Sequence, residues 1–236
     1  MKEILHSIRS DLKGNSDETT RNTAQRFFKE KVECYGLKAA LVRKISKNYF
    51  KEIKGLGKPE IFELCEDLFR SGYMEESFIA CDWSHNTHAK FEPEDINLFG
   101  RWIQDYVSNW ASCDTLCNHT VGSFIEKYPE RINDLKAWAK SENRWLKRAA
   151  AVSLILPARK GKFLADVFEI ADLLLADRDD MVQKGYGWLL KEASRLHQKE
   201  VLDYVTKNKK IMPRTALRYA IELMPKELRT EAMRKV

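Results

Sequence analysis

The sequence predicts an all-α fold, an α-solenoid in which two-helix repeats stack side by side. Three features point there. Apolar residues recur at helical spacing through most of the 236 residues, and no run alternates convincingly with period two. Only 10 glycines and 6 prolines are present, few for a sheet protein with many tight turns. Similar small-and-apolar segments begin at 77, 112, 147, 184 and 214, a step of 30 to 37 residues. The length suits a single domain, 1–236, or a repeat array.

Taken in order, Ile4, Leu5, Ile8 and Leu12 form one face of a short first helix, which the Gly14-Asn15-Ser16-Asp17 run breaks. A helix over 23–32 carries Phe27 and Phe28 and ends at Tyr35-Gly36. Apolar positions 41, 42, 45, 49, 50 and 53 give the next helix a clear period. Pro59 near a helix start, then Ser71-Gly72, bound the one after it. Helices follow over 75–83 and 96–107, with a polar, histidine-rich loop between them. A long helix over 109–128 contains Gly122, and Pro129 opens a short one to 138. Ser141-Glu142-Asn143 caps a helix over 144–156 that Pro157 ends. Helices over 163–175, 181–196, 200–207 and 214–223 complete the set, and a short tail follows Pro225. The regular step favours HEAT-like stacking over an irregular bundle.

Composition narrows the function classes. Hydrophobic residues make up 44% of the chain, enough for a core, and a net charge of +6 favours a polyanionic partner without identifying one. The five cysteines, Cys34, Cys65, Cys81, Cys113 and Cys117, are odd in number and scattered, as for free thiols in a reducing compartment. Cys113, Cys117 and His119, or His85 and His88, lack the paired spacing of a zinc site, so no metal and no cofactor is expected. The first 13 residues lack the apolar core of a secretory signal, and no run reaches the ~18 apolar residues of a membrane span. The chain therefore reads as soluble and cytoplasmic, with no obligatory protein partner evident.

The stretch Ser108-Asn109-Trp110-Ala111-Ser112-Cys113-Asp114 puts an indole and a carboxylate four positions apart, on one face if helical. By itself it also describes a core tryptophan beside a capping or surface aspartate. Repeat spacing adds to it. Arg148 lies 34 residues after Asp114, and Trp188 lies 40 after Arg148. One repeat apart in a solenoid means neighbouring in space, so two indoles, an acid and an arginine would share a concave cleft. Indole faces attract cations, and an arginine suits a phosphate.

At these residues the chain resembles the DNA alkylation repair (AlkD-like) family of HEAT-like DNA glycosylases. The likeness covers Trp-Ala-Ser-Cys-Asp at 110–114, Asn-Arg-Trp-Leu-Lys-Arg-Ala-Ala at 143–150 and Gln-Lys-Gly-Tyr-Gly-Trp-Leu-Leu-Lys-Glu at 183–192. It implies that Asp114 is the catalytic carboxylate, that Trp110 and Trp188 flank the sugar of a damaged nucleotide, and that Arg148 holds a backbone phosphate. The implied partner is double-stranded DNA containing alkylated bases. Phe27 stands where some members have Tyr, and Asp180-Met181 where some have a pair of Phe. Those departures bear on lesion range and DNA contacts more than on the chemistry.

A single carboxylate fits such chemistry. A purine alkylated at N7 or N3 already carries positive charge and leaves as a neutral base, so no general acid is required. The enzyme has only to stabilise an oxocarbenium-like sugar and position water. Basic residues would carry the duplex: Lys44 and Lys47 on one helix, Lys147 and Arg148 in the third region, and Lys184, with Phe27 as an aromatic contact. Two other classes stay open, a DNA-binding solenoid without catalysis and a protein-binding scaffold.

Overall fold

The computed structural model describes residues 2–234, and helices build it, with no strand among the described residues. In chain order they are α1 (Lys2–Gly14), α2 (Glu18–Gln25), α3 (Ala39–Ile53), α4 (Lys58–Arg70), α5 (Met74–Asn86), α6 (Asp95–Tyr106) and α7 (Trp110–Thr115). Then come α8 (Gly122–Lys127), α9 (Ile132–Trp138), α10 (Arg144–Val152), α11 (Ile155–Arg159), α12 (Leu164–Leu174), α13 (Asp180–Ala193), α14 (Gln198–Asn208), α15 (Arg214–Ala220) and α16 (Lys226–Met233).

These helices stack in two rows, as the solenoid expectation requires. One row runs α3, α5, α7, α10, α13, α15, each packed on the next. Helices α4, α6, α9, α12 and α14 back that row from the other side, and α16 packs on α14. A continuous apolar core lies between the rows, from Leu5 and Ile8 at one end to Ala216 and Leu217 at the other. Its largest fully buried side chains are Trp83, Trp102 and Tyr186, with Trp102 edge-on to Phe62. Close approach of α13 to α15 depends on Gly187. A Cβ there would stand 2.8 Å from the Ala216 carbonyl oxygen and 2.7 Å from the Tyr219 Cβ.

Several boundaries differ from the sequence expectation. Helix α2 stops at Gln25, so Phe27 and Phe28 sit on an irregular connector rather than on a helix. Helix α2 buries no side chain, which leaves it without a tertiary reason to continue. The helix expected over 109–128 is interrupted by a wider π turn, Leu116–Val121. Pro157 does not end a helix but lies in the first turn of α11, where the N–H it lacks would be unpaired anyway. The residues after Pro225 form α16 rather than a tail.

All five cysteines are buried and unbridged, and burial pushes the thiols of Cys34, Cys65, Cys81 and Cys113 up. Among the described residues no helix is long and apolar enough to cross a membrane, and no three potential ligands gather as a metal site.

Candidate functional site

Three helices of the first row begin on side-chain caps that recur about one repeat apart. The Asn109 side chain accepts from the Ser112 amide at 2.9 Å and starts α7. That of Asn143 accepts from Trp145 at 2.8 Å and Leu146 at 3.3 Å, starting α10. That of Asp179 accepts from Met181 at 2.8 Å and Val182 at 3.2 Å, starting α13. A capped start satisfies orphan amides and fixes where each helix begins, and so where its later side chains point. Trp110 is the first residue of α7 and Asp114 follows a turn later, Arg148 is in α10, and Lys184 and Trp188 are a turn apart in α13.

These residues meet in a cleft of about 430 Å³. Phe27, Trp110, Asp114, Arg148, Lys184 and Trp188 all line it, together with Met181, Lys191 and Tyr219. Six of the residues singled out in the sequence are thus brought together. The other three are not. Lys44 and Lys47 are exposed on α3 and do not line the cleft. Lys147 also lies outside it, with its ammonium 2.9 Å from Asp177 Oδ2.

At the centre, Arg148 grips Asp114 with two parallel bonds. Nε donates to Oδ1 at 2.8 Å and the Nη2 group to Oδ2 at 2.8 Å. Nη1 donates to the Met181 carbonyl, which joins the pair to the start of α13. Arg148 is only 5% exposed, because Gly185 leaves room for its stem: a Cβ there would be 3.3 Å from Arg148 Cγ. This guanidinium is turned inward and serves as the fixed counter-ion of Asp114. Burial pushes the Asp114 carboxyl above its ordinary value, and Arg148 opposes that push through its hydrogen bonds and charge.

Each indole is held by its own N–H. Trp110 Nε1 donates to the Phe27 carbonyl at 3.3 Å, and the Phe28 ring stacks on Trp110 with centroids 5.3 Å apart. Trp188 Nε1 donates to Glu192 Oε1 at 3.3 Å. Lys184 pairs with Asp180 at 3.3 Å, and Asp180 also takes Lys29 from the connector at 2.6 Å. Arg144 reaches Glu30 on the same connector at 2.8 Å and Asp179 at 2.9 Å.

Lys191 and Tyr219 were given no site role in the sequence, and Phe28 only a place on the expected 23–32 helix. Lys191 and Trp188 share a face of α13, three positions apart, which is the signal that would have found it. Tyr219 comes from α15, one unit further along, and its place shows only once α13 and α15 are packed.

Comparison with known proteins places the chain in a family. The family model described as DNA alkylation repair enzyme matches residues 8–224. A solved structure described as a predicted DNA alkylation repair enzyme from Enterococcus faecalis superposes with a TM-score of 0.80. It is 17% identical, and the match covers 89% of this chain and 97% of that one, a likeness of fold. No curated protein matches. With nearly the whole length under one family model, and the cleft assembled from the repeats it spans, the chain belongs to the DNA alkylation repair enzyme family.

Proposed function

We propose that the protein is a monofunctional DNA glycosylase that releases cationic alkylated purines, 7-methylguanine and 3-methyladenine, from duplex DNA. One observation carries this: a carboxylate fixed from behind by Arg148 opens into a cleft that two indoles also line. In such a cleft a nucleotide's sugar would meet one anion and two electron-rich faces.

The C1′–N bond breaks, and its electron pair leaves with the base and cancels the positive charge there. The sugar becomes oxocarbenium-like. Asp114 stabilises that charge and orients the water that adds to C1′, whose proton passes to the carboxylate or to solvent. Trp110 and Trp188 add cation–π attraction. Because Arg148 holds both carboxylate oxygens, the anion needs no reorganisation as charge develops. Lys184 and Lys191 line the cleft, within reach of the strand that enters it, and the exposed Lys44 and Lys47 contact phosphates further out.

A second reading, DNA binding without excision, draws on the same ion pair. A carboxylate bonded twice to an arginine presents a weaker field to a sugar than a free one does. One assay separates the two. Methylated duplex is incubated with wild type and with Asp114→Asn, and free 7-methylguanine is quantified. Release by wild type that falls at least about 100-fold in the variant supports the glycosylase. Equal release by both removes Asp114 from the chemistry. Tight binding with no release by the wild type leaves the binding protein.

A further inference from the structure

Glu192 does not line the cleft, and excision as described gives it no role. It is nevertheless a buried acid, 3% exposed, one turn after Trp188 on α13. Its two oxygens divide their work. Oε1 accepts the Trp188 indole N–H at 3.3 Å. Oε2 accepts from Arg159 Nε at 2.8 Å and from Arg195 Nε at 2.6 Å. Burial alone would raise this carboxyl, but the bonds from Arg195, Arg159 and Trp188 outweigh it and hold it below its ordinary value. It is therefore an anion at neutral pH.

An indole can turn about two side-chain torsions, and a half-buried one has room to do so. Bonding its N–H fixes which way the ring plane faces. Bonding it to an anion also pushes electron density into the ring, which strengthens the negative face that attracts cations. We infer that Glu192 is a positioning residue: pinned between Arg159 and Arg195, it holds the Trp188 indole with its face toward the cleft and enriches that face. Its effect on excision rests on the glycosylase reading, but its hold on the indole does not.

The bland alternative is an ion cluster that only ties α11 to α13. The two roles predict different variants. Arg159 and Arg195 are 46% and 44% exposed, so water can solvate both when the acid is removed, and the fold survives. Glu192→Gln keeps an acceptor for the indole and loses the charge. Glu192→Ala loses both.

The first measurement uses the free protein. The indole N–H resonances are recorded by 1H–15N spectroscopy, with that of Trp188 identified by its loss in Trp188→Phe. The expected result is a Trp188 resonance that moves modestly in Glu192→Gln, and moves furthest and exchanges fastest in Glu192→Ala. An unmoved resonance in Glu192→Ala overturns the inference whatever the protein's activity. The second is single-turnover excision at saturating protein. Glu192→Ala should slow the step on the order of tenfold, with duplex affinity within about twofold and Glu192→Gln between it and wild type. A wild-type rate in Glu192→Ala, or losses of affinity and melting temperature that account for the whole change, also overturns it. If wild type releases no base, the glycosylase reading fails and the resonance measurement alone decides.

Discussion

The two tryptophan walls of the cleft use the same bond at the same length and are built differently. Trp188 donates at 3.3 Å to a buried acid on its own helix, one turn away, itself clamped by two arginines. Trp110 donates at 3.3 Å to a main-chain carbonyl 83 residues earlier, on a connector without regular structure. That connector is fastened by Phe28 stacking and by exposed ion pairs, Lys29 with Asp180 and Arg144 with Glu30. Equal distances therefore do not mean equal stiffness. One wall is local and internally paired, while the other depends on a distant segment held by contacts that salt and solvent weaken.

The largest expected effect comes from the residue joining both walls. Arg148→Ala leaves the Asp114 carboxylate buried without its partner and frees the Met181 carbonyl from α10. The expected cost is about 3–5 kcal/mol in urea unfolding. A loss below about 1 kcal/mol would mean that the walls are not coupled through this pair.

Acid should separate the walls next. Asp114 is raised by burial, so the fold holds its proton more tightly than the unfolded chain does. That stabilising contribution is present at low pH and is lost as pH rises through the raised value. The proposed chemistry runs the other way, because in it only the anion stabilises the sugar. Excision should fall about tenfold per unit as pH drops below that value. Glu192 is lowered, so its contribution to stability is present above the unfolded carboxyl value and is lost only as pH falls through the lower folded one. A pH series of excision rate and Trp188 indole resonance should therefore lose the rate first. Simultaneous loss of both would contradict the opposite shifts.

Phe28→Ala should cost about 0.5–1.5 kcal/mol and quicken exchange of the Trp110 indole proton while leaving that of Trp188 unchanged. Equal changes at both would show that the connector supports the whole cleft. The smallest effect belongs to Lys29→Ala. It should leave the unfolding midpoint in place and raise protease cutting between α2 and α3 at low salt, with the difference fading at high salt.

Much of the scaffold was legible in the sequence, since helical periodicity needs only local information. What failed needed neighbours. Phe27 and Phe28 read as a helix face because the sequence cannot show that α2 buries nothing. Pro157 read as a stop because a fresh helix start and a helix end look alike around proline. The cleft was legible through repeat spacing, which brought Trp110, Asp114, Arg148 and Trp188 together. Arg148 pairs with the acid one repeat before it, a partner that repeat spacing alone does not single out, since a guanidinium there suits that acid or a phosphate equally well. Lys147 pairs with Asp177 outside the cleft, a contact that the sequence did not single out. Glu192 stood in plain view as an i, i+4 neighbour of Trp188, but such pairs are common on solvated helices, and only its burial marks it.

The burial of every cysteine has a consequence for the molecule's own survival. Soft electrophiles attack thiolates, and a thiol pushed up by burial offers few of them. With Cys34, Cys65, Cys81 and Cys113 all shifted that way and shielded by packing, methylating agents meet few reactive thiols on this surface. A member of a DNA alkylation repair family thus keeps its thiols out of reach of the kind of reagent that alkylates DNA.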